Sequence, residues 1–241
     1  MLTLLRLSMR QLGGKRRVAL ILLLSILPIA LAVVVSIAEG EDESFDSDFI
    51  NILLDGLMVG GILPIVTMAV ATAAFGNELE DQTLSYIVLK PIPRWHIALP
   101  KLLASIIIAG PLIIASGAIP AWIGMGADPR ISAAVGLALF VGVTTYSSIF
   151  SWAGLMTTRA LAFAIVYVFL WEGLISSFIN GVDYLSVRGY TLAIMHGIDK
   201  DGLGELSERV IEFPAAVGGA VAVSVVFFYL TVRRLRNMDV P

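Results

Sequence analysis

VALILLLSILPIALAVVVSI, Val18–Ile37, is twenty residues long and carries no charge. A helix needs about 20 such residues to cross roughly 30 Å of hydrocarbon, so this run reads as a membrane span. Five similar runs follow at 49–75, 102–122, 131–156, 161–179 and 214–232. Their only charged residues are Asp55, six residues into the second run, and Glu172, in the fifth. The whole chain agrees, being 58% hydrophobic and 15% charged with a mean hydropathy of +0.90. Soluble domains lie nearer 45–50% and about 25%, so lipid has to cover the excess. The expected fold is an all-α membrane protein, one domain with six transmembrane helices.

An even number of spans puts both termini on one side, and the basic residues say which. The segments sharing a side with the N-terminus hold Arg6, Arg10, Lys15, Arg16, Arg17, Lys90, Arg94, Lys101, Arg159, Arg233, Arg234 and Arg236. The opposite segments hold only Arg130, Arg188, Lys200 and Arg209, and most densely the acidic stretch from Glu39 to Asp48. By the positive-inside rule both termini face the cytoplasm, and the expected location is the cell (inner) membrane. A cleaved signal peptide is the competing reading of the N-terminus, because Ser36-Ile37-Ala38 loosely resembles a cleavage site. The apolar run is too long for that, so the first span is expected to stay.

Between the spans lie three informative segments. In Met1–Leu12, residues Leu2, Leu5, Met9 and Leu12 share one helical face and Thr3, Arg6 and Arg10 another, the pattern of an interfacial helix. The link from Gly76 to Pro100 is far longer than a tight hairpin needs. Asn77 followed by Glu80 suggests a capped helix start, Glu78, Glu80 and Asp81 suit its dipole, and Pro91 and Pro93 end it. Its apolar residues, Leu84 and Ile87 among them, argue against a solvated connector and for a docking element over 77–89. On the far side, 180–213 is the other long connection, with an amphipathic helix expected from the spacing of Leu203, Leu206, Val210 and Phe213.

The chemistry of catalysis is missing. The chain has no cysteine and two histidines, His96 inside and His196 outside, which cannot share a metal or serve one nucleophile. Gly13-Gly14-Lys15-Arg16 lacks both the leading glycine and the hydroxyl of a phosphate loop. No catalytic, cofactor or metal residues are therefore assigned. Glu172 lies about 16 Å along the fifth span, near the bilayer centre, with Ser176 and Asn180 one and two turns on. It either lines a translocation route or makes a buried structural hydrogen bond. Asp55 lies close to the outer headgroups. Gly56-x-x-x-Gly60 and Gly218-x-x-x-Ala222 are expected to allow close helix approach.

The run Glu78-Leu-Glu-Asp-Gln-Thr-Leu-Ser-Tyr-Ile-Val-Leu-Lys-Pro-Ile-Pro-Arg94, followed by Lys101 at the start of the third span, resembles the permease subunit of type-2 ABC transporters, typically bacterial or archaeal exporters. Family members carry an acidic residue, a Gly-Thr-Leu step, a Pro-Ile/Val-x-Arg corner and a Gly-Lys pair. Here Gln82 replaces the glycine of the first step and Pro100 that of the second. The resemblance implies a permease pair, identical or mixed, driven by two separate ATPase subunits that bind ATP and Mg. It makes Gly76–Arg94 the coupling helix, with Glu78, Glu80, Asp81, Thr83, Leu84, Ile87 and Arg94 as its docking residues. The second and fifth spans would line the path, bringing in Asp55, Glu172 and Ser176. The lipid bilayer is the other partner and nucleic acid is not one. A membrane-embedded enzyme or assembly factor without an energy source, or a channel, are the alternatives, and neither accounts for the acidic cytoplasmic helix.

Cysteines placed at Ser44 and Gly202 should react with an impermeant reagent added to intact cells, while ones at Ser85 and Asn237 should not. Reaction at Ser85 would reverse the orientation read from the charges.

Overall fold

The computed structural model describes residues 1–39, 45–84, 92–157, 159–175, 182–199, 203 and 211–238, and among them every regular element is helical. Helix α1 (Leu2–Leu12) precedes α2 (Lys15–Glu39), α3 (Asp48–Glu80), α4 (Trp95–Gly124) and α5 (Pro129–Met156). Then come α6 (Ala160–Val166), continued as a π-helix over Tyr167–Ile175, the short α7 (Val187–Ile198) and α8 (Phe213–Arg236). Five helices, α2, α3, α4, α5 and α8, are long and apolar enough to cross a membrane. The fifth expected span, 161–179, is helical where described, over seven α and nine π residues, at most about 24 Å. Its remaining residues, 176–179, lie outside the described ones.

Helix α5 is the centre of the bundle. Of its most apolar stretch 72% is buried, against 22% for α2 and for α8. The other helices close around it, and lipid must cover their outward faces, where Leu20, Leu23, Val34, Phe163, Phe169 and Tyr229 stand exposed. Lipid supplies no hydrophobic drive to bring helices together, so they associate by close packing of small residues. Gly154 of α5 lies so near α3 that a Cβ there would sit 2.2 Å from the Thr72 carbonyl oxygen. Gly142 fits against Leu63 and Thr191, and Gly117 of α4 against Leu139. These are not the glycines singled out by motif. A Cβ at Gly56 or Gly218 meets nothing within 4 Å, and Ala222 is exposed, so neither motif works as a contact inside the chain. Gly60 instead makes room for the Arg188 guanidinium.

The local ends follow from capping chemistry. Asp128 caps α5 by accepting the Arg130 amide at 2.8 Å, with Pro129 at the first helical position. Ser186 caps α7 by accepting the Gly189 amide at 3.1 Å. Helix α7 is an element of the 180–213 connection that sequence spacing does not reveal. The expected helix over 203–213 falls mostly outside the described residues, whereas Val187–Ile198 is helical and buried from Val187 to Met195 except at the half-buried Arg188. Twelve residues give about 18 Å, too short to span, so α7 wedges between α5, α8 and the start of α3. Helix α1 sits at the opposite end, against α4. Leu12 is buried and Leu5 and Met9 pack on the core, but Leu2 points outward.

Gly154→Ala should therefore lower the thermal stability of the detergent-purified chain by about 2 kcal/mol or more, since backbone has to move to admit one methyl group. Gly218→Ala, in open space, should be neutral or gain up to about 1 kcal/mol from helix propensity. Equal melting temperatures for the two variants would contradict this packing.

Candidate functional site

The docking segment begins differently from the sequence expectation. Asn77 does not start a helix. It lies inside α3, which runs on to Glu80 before the chain turns. The turn is a Schellman stop. The Thr83 amide donates to the Glu78 carbonyl at 2.9 Å and the Gln82 amide to the Leu79 carbonyl at 3.4 Å. Gln82 occupies the left-handed position with φ +56°. That position is where the family pattern carries glycine, and among the described residues of the segment it is the one where a side chain costs about 1–2 kcal/mol.

Behind the turn is a buried ion pair. Glu78 Oε1 lies 2.7 Å from Lys101 Nζ, with side-chain exposures of 4% and 5%. The ammonium also donates to the Ala74 carbonyl and lies 4.8 Å from the Phe75 ring centroid. One charge thus satisfies a carboxylate, a backbone oxygen and an aromatic face at once, which makes a dry ammonium tolerable. Glu78 Oε2 has no hydrogen-bond partner among the described residues. The pair ties the end of α3 to the start of α4 across the segment between them. Two of the expected docking residues are consequently turned inwards: Glu78 is 3% exposed and so is Leu84. Glu80, Asp81 and Thr83 are exposed, Arg94 is half-buried at the start of α4, and Ile87 lies outside the described residues.

A second ion pair stands at the other end of α3. Asp55 Oδ1 accepts from Arg188 Nε at 2.7 Å and lies 2.7 Å from Nη2, with the guanidinium passing over Gly60. Asp55 is therefore held by α7 and does not stand as a bare carboxylate. Arg188 is missed by motif reading. The signal available is that a carboxyl near the outer headgroups needs a cation and that the outer segments hold only four. Both carboxyls of the spans fall in π-helical backbone, Asp55 within Ile52–Ile62 and Glu172 within Tyr167–Ile175. Runs of this length are rare, and π segments concentrate at functional positions. The side chain of Glu172 and the whole of Ser176 lie outside the described residues. Their expected polar stripe assumed α spacing, whereas the π segment bonds residues five apart.

Among the described residues no cluster of side chains could hold a metal ion. The model of one family, described as ABC-2 family transporter protein, matches residues 14–184, from the start of α2 past the π segment of the fifth expected span. No curated protein matches the chain.

Lys101→Met should destabilise the chain by about 3–5 kcal/mol, because it leaves the Glu78 carboxylate buried without its partner. Gln82→Gly should stabilise it by about 0.5–1 kcal/mol, the left-handed strain relieved less the extra freedom of the unfolded chain. Thermal unfolding in detergent reads both, and an unchanged Lys101→Met variant would contradict the buried pair.

Proposed function

Since the chain belongs to the ABC-2 transporter family, we propose that it pairs with a second copy or a paralogue to form the path of an exporter driven by separate ATPase subunits. As a family member it is a multi-pass membrane permease that works with ABC ATPases and is not itself the ATPase. ATP and Mg bind in that partner. The end carrying α1, the Glu80 turn and the arginines of α8 faces the cytoplasm, as the distribution of basic residues supports.

The observation that carries the docking assignment is the division of labour around Glu78. A subunit pushing on the membrane part needs an exposed surface that cannot give way. Glu80, Asp81 and Thr83 supply the exposed, acidic shoulder. The Schellman stop, the buried Leu84 and the Glu78–Lys101 pair hold it still from behind. The 77–94 segment is thus the coupling element, with its outward residues recognising the ATPase and its inward residues passing force to α3 and α4. Asp55, Glu172 and Ser176 line the path, and Arg188 neutralises the first of them at its outer end.

Reversing the charge of the shoulder, Glu80→Lys with Asp81→Lys, should leave the permease folded, because both residues are exposed. Co-purification of the ATPase should fall several-fold, or its hydrolysis should lose its dependence on transport. Wild-type co-purification together with wild-type coupled hydrolysis would remove the shoulder from the docking surface.

A further inference from the structure

Where α5, α6 and α8 meet, near the arginine-bearing end of the bundle, there is a groove of about 440 Å³. Its walls include Phe150, Trp152, Phe163, Tyr167 and Phe227, with Thr157 at the end of α5. The Trp152 and Phe227 rings meet edge to face at 5.4 Å, so the floor is ordered. Phe163 on the rim is 67% exposed, which leaves the groove open at the surface of the chain. A space of this size falls in the range of ligand sites, and its aromatic lining disfavours water.

Charge at the mouth gives the occupant. Arg159 follows Thr157 by two residues, and its amide donates to the Thr157 hydroxyl at 3.1 Å, which fixes the backbone there. On α8, Arg234 lies seven residues after Phe227, two helical turns on and so on the same face, about 10 Å nearer the end. Both arginines are exposed. An apolar slot with two exposed arginines on the flanking helices beyond its Thr157 end matches a molecule with a hydrocarbon chain and an anionic phosphate head. We propose that the groove binds an anionic phospholipid of the bilayer, one acyl chain against Trp152, Phe163 and Phe227 and the phosphate at Arg159 and Arg234. The site depends neither on the direction of transport nor on ATPase docking.

Trp152 provides the readout. The full-length chain with Trp95, Trp122 and Trp171 changed to Phe keeps this tryptophan alone. It is reconstituted into vesicles of phosphatidylcholine in which a fixed share of lipid carries brominated acyl chains, either on phosphatidylglycerol or on phosphatidylcholine. Quenching by the phosphatidylglycerol form should correspond to an apparent preference on the order of fivefold per arginine. Raised salt should weaken that preference, and Arg159→Gln with Arg234→Gln should abolish it. Equal quenching by the two lipids in the single-tryptophan parent overturns the proposal, whatever the folding of the arginine variant. So does the absence of quenching by either lipid, which means a second copy or another subunit covers the groove. A preference that survives loss of both arginines overturns it as well.

Discussion

A charged pair sealed from water, Glu78 against Lys101, is the interaction on which the end of the bundle carrying the Glu80 turn depends. Taking two ions out of water costs several kcal/mol each, and their attraction offsets this only in good geometry with further hydrogen bonds. The Ala74 carbonyl and the Phe75 ring supply those extra contacts to the ammonium. Such a pair adds little net stability over an apolar one, yet neither partner can leave without stranding the other. That property suits a joint. It fixes where α3 ends relative to where α4 begins, and the segment between them inherits that geometry.

The same logic recurs at the far end of α3. Twenty-three residues separate Asp55 from Glu78, at most about 35 Å of helix, a little more than the hydrocarbon thickness. Each carboxyl is thus placed near one face of the membrane, and each is bound by a cation from a different element, Arg188 on α7 and Lys101 on α4. Helix α3 is pinned at both ends by charge, and between them it is held against α5 by small residues, at Gly142 beside Leu63 and most closely where Gly154 meets Thr72. The third of this helix that carries Asp55 is π-wound.

The apolar runs were legible because membrane burial imposes a length and a composition that nothing else in a sequence imitates, and five of the six reappear as full-length helices. The segment after α3, read in the sequence as a docking element, has a geometry that its spacing does not give. Asn77 and Glu80 have the spacing of a capped start, yet the helix of the second span runs on through them, and the stop comes with Gln82 taking a left-handed turn. Glu78 and Leu84 look like surface residues by type and position, but their facing depends on Lys101 and on the neighbouring helices, which local spacing does not encode. Helix α7 hid for a related reason. Its burial comes from wedging among three elements, which local spacing does not encode. The close-packing glycines were equally out of reach, since Gly154 and Gly218 differ only in what the fold sets opposite them.

The central claim is that Glu78 and Lys101 act as one unit, and a double-mutant cycle on the detergent-purified chain tests it most directly. Unfolding free energies are needed for the parent, Glu78→Leu, Lys101→Met and the double variant. A buried pair predicts that each single change costs more than the double, with a coupling energy of about 2 kcal/mol or more. Losses that simply add, with the double variant the least stable of the four, would contradict it.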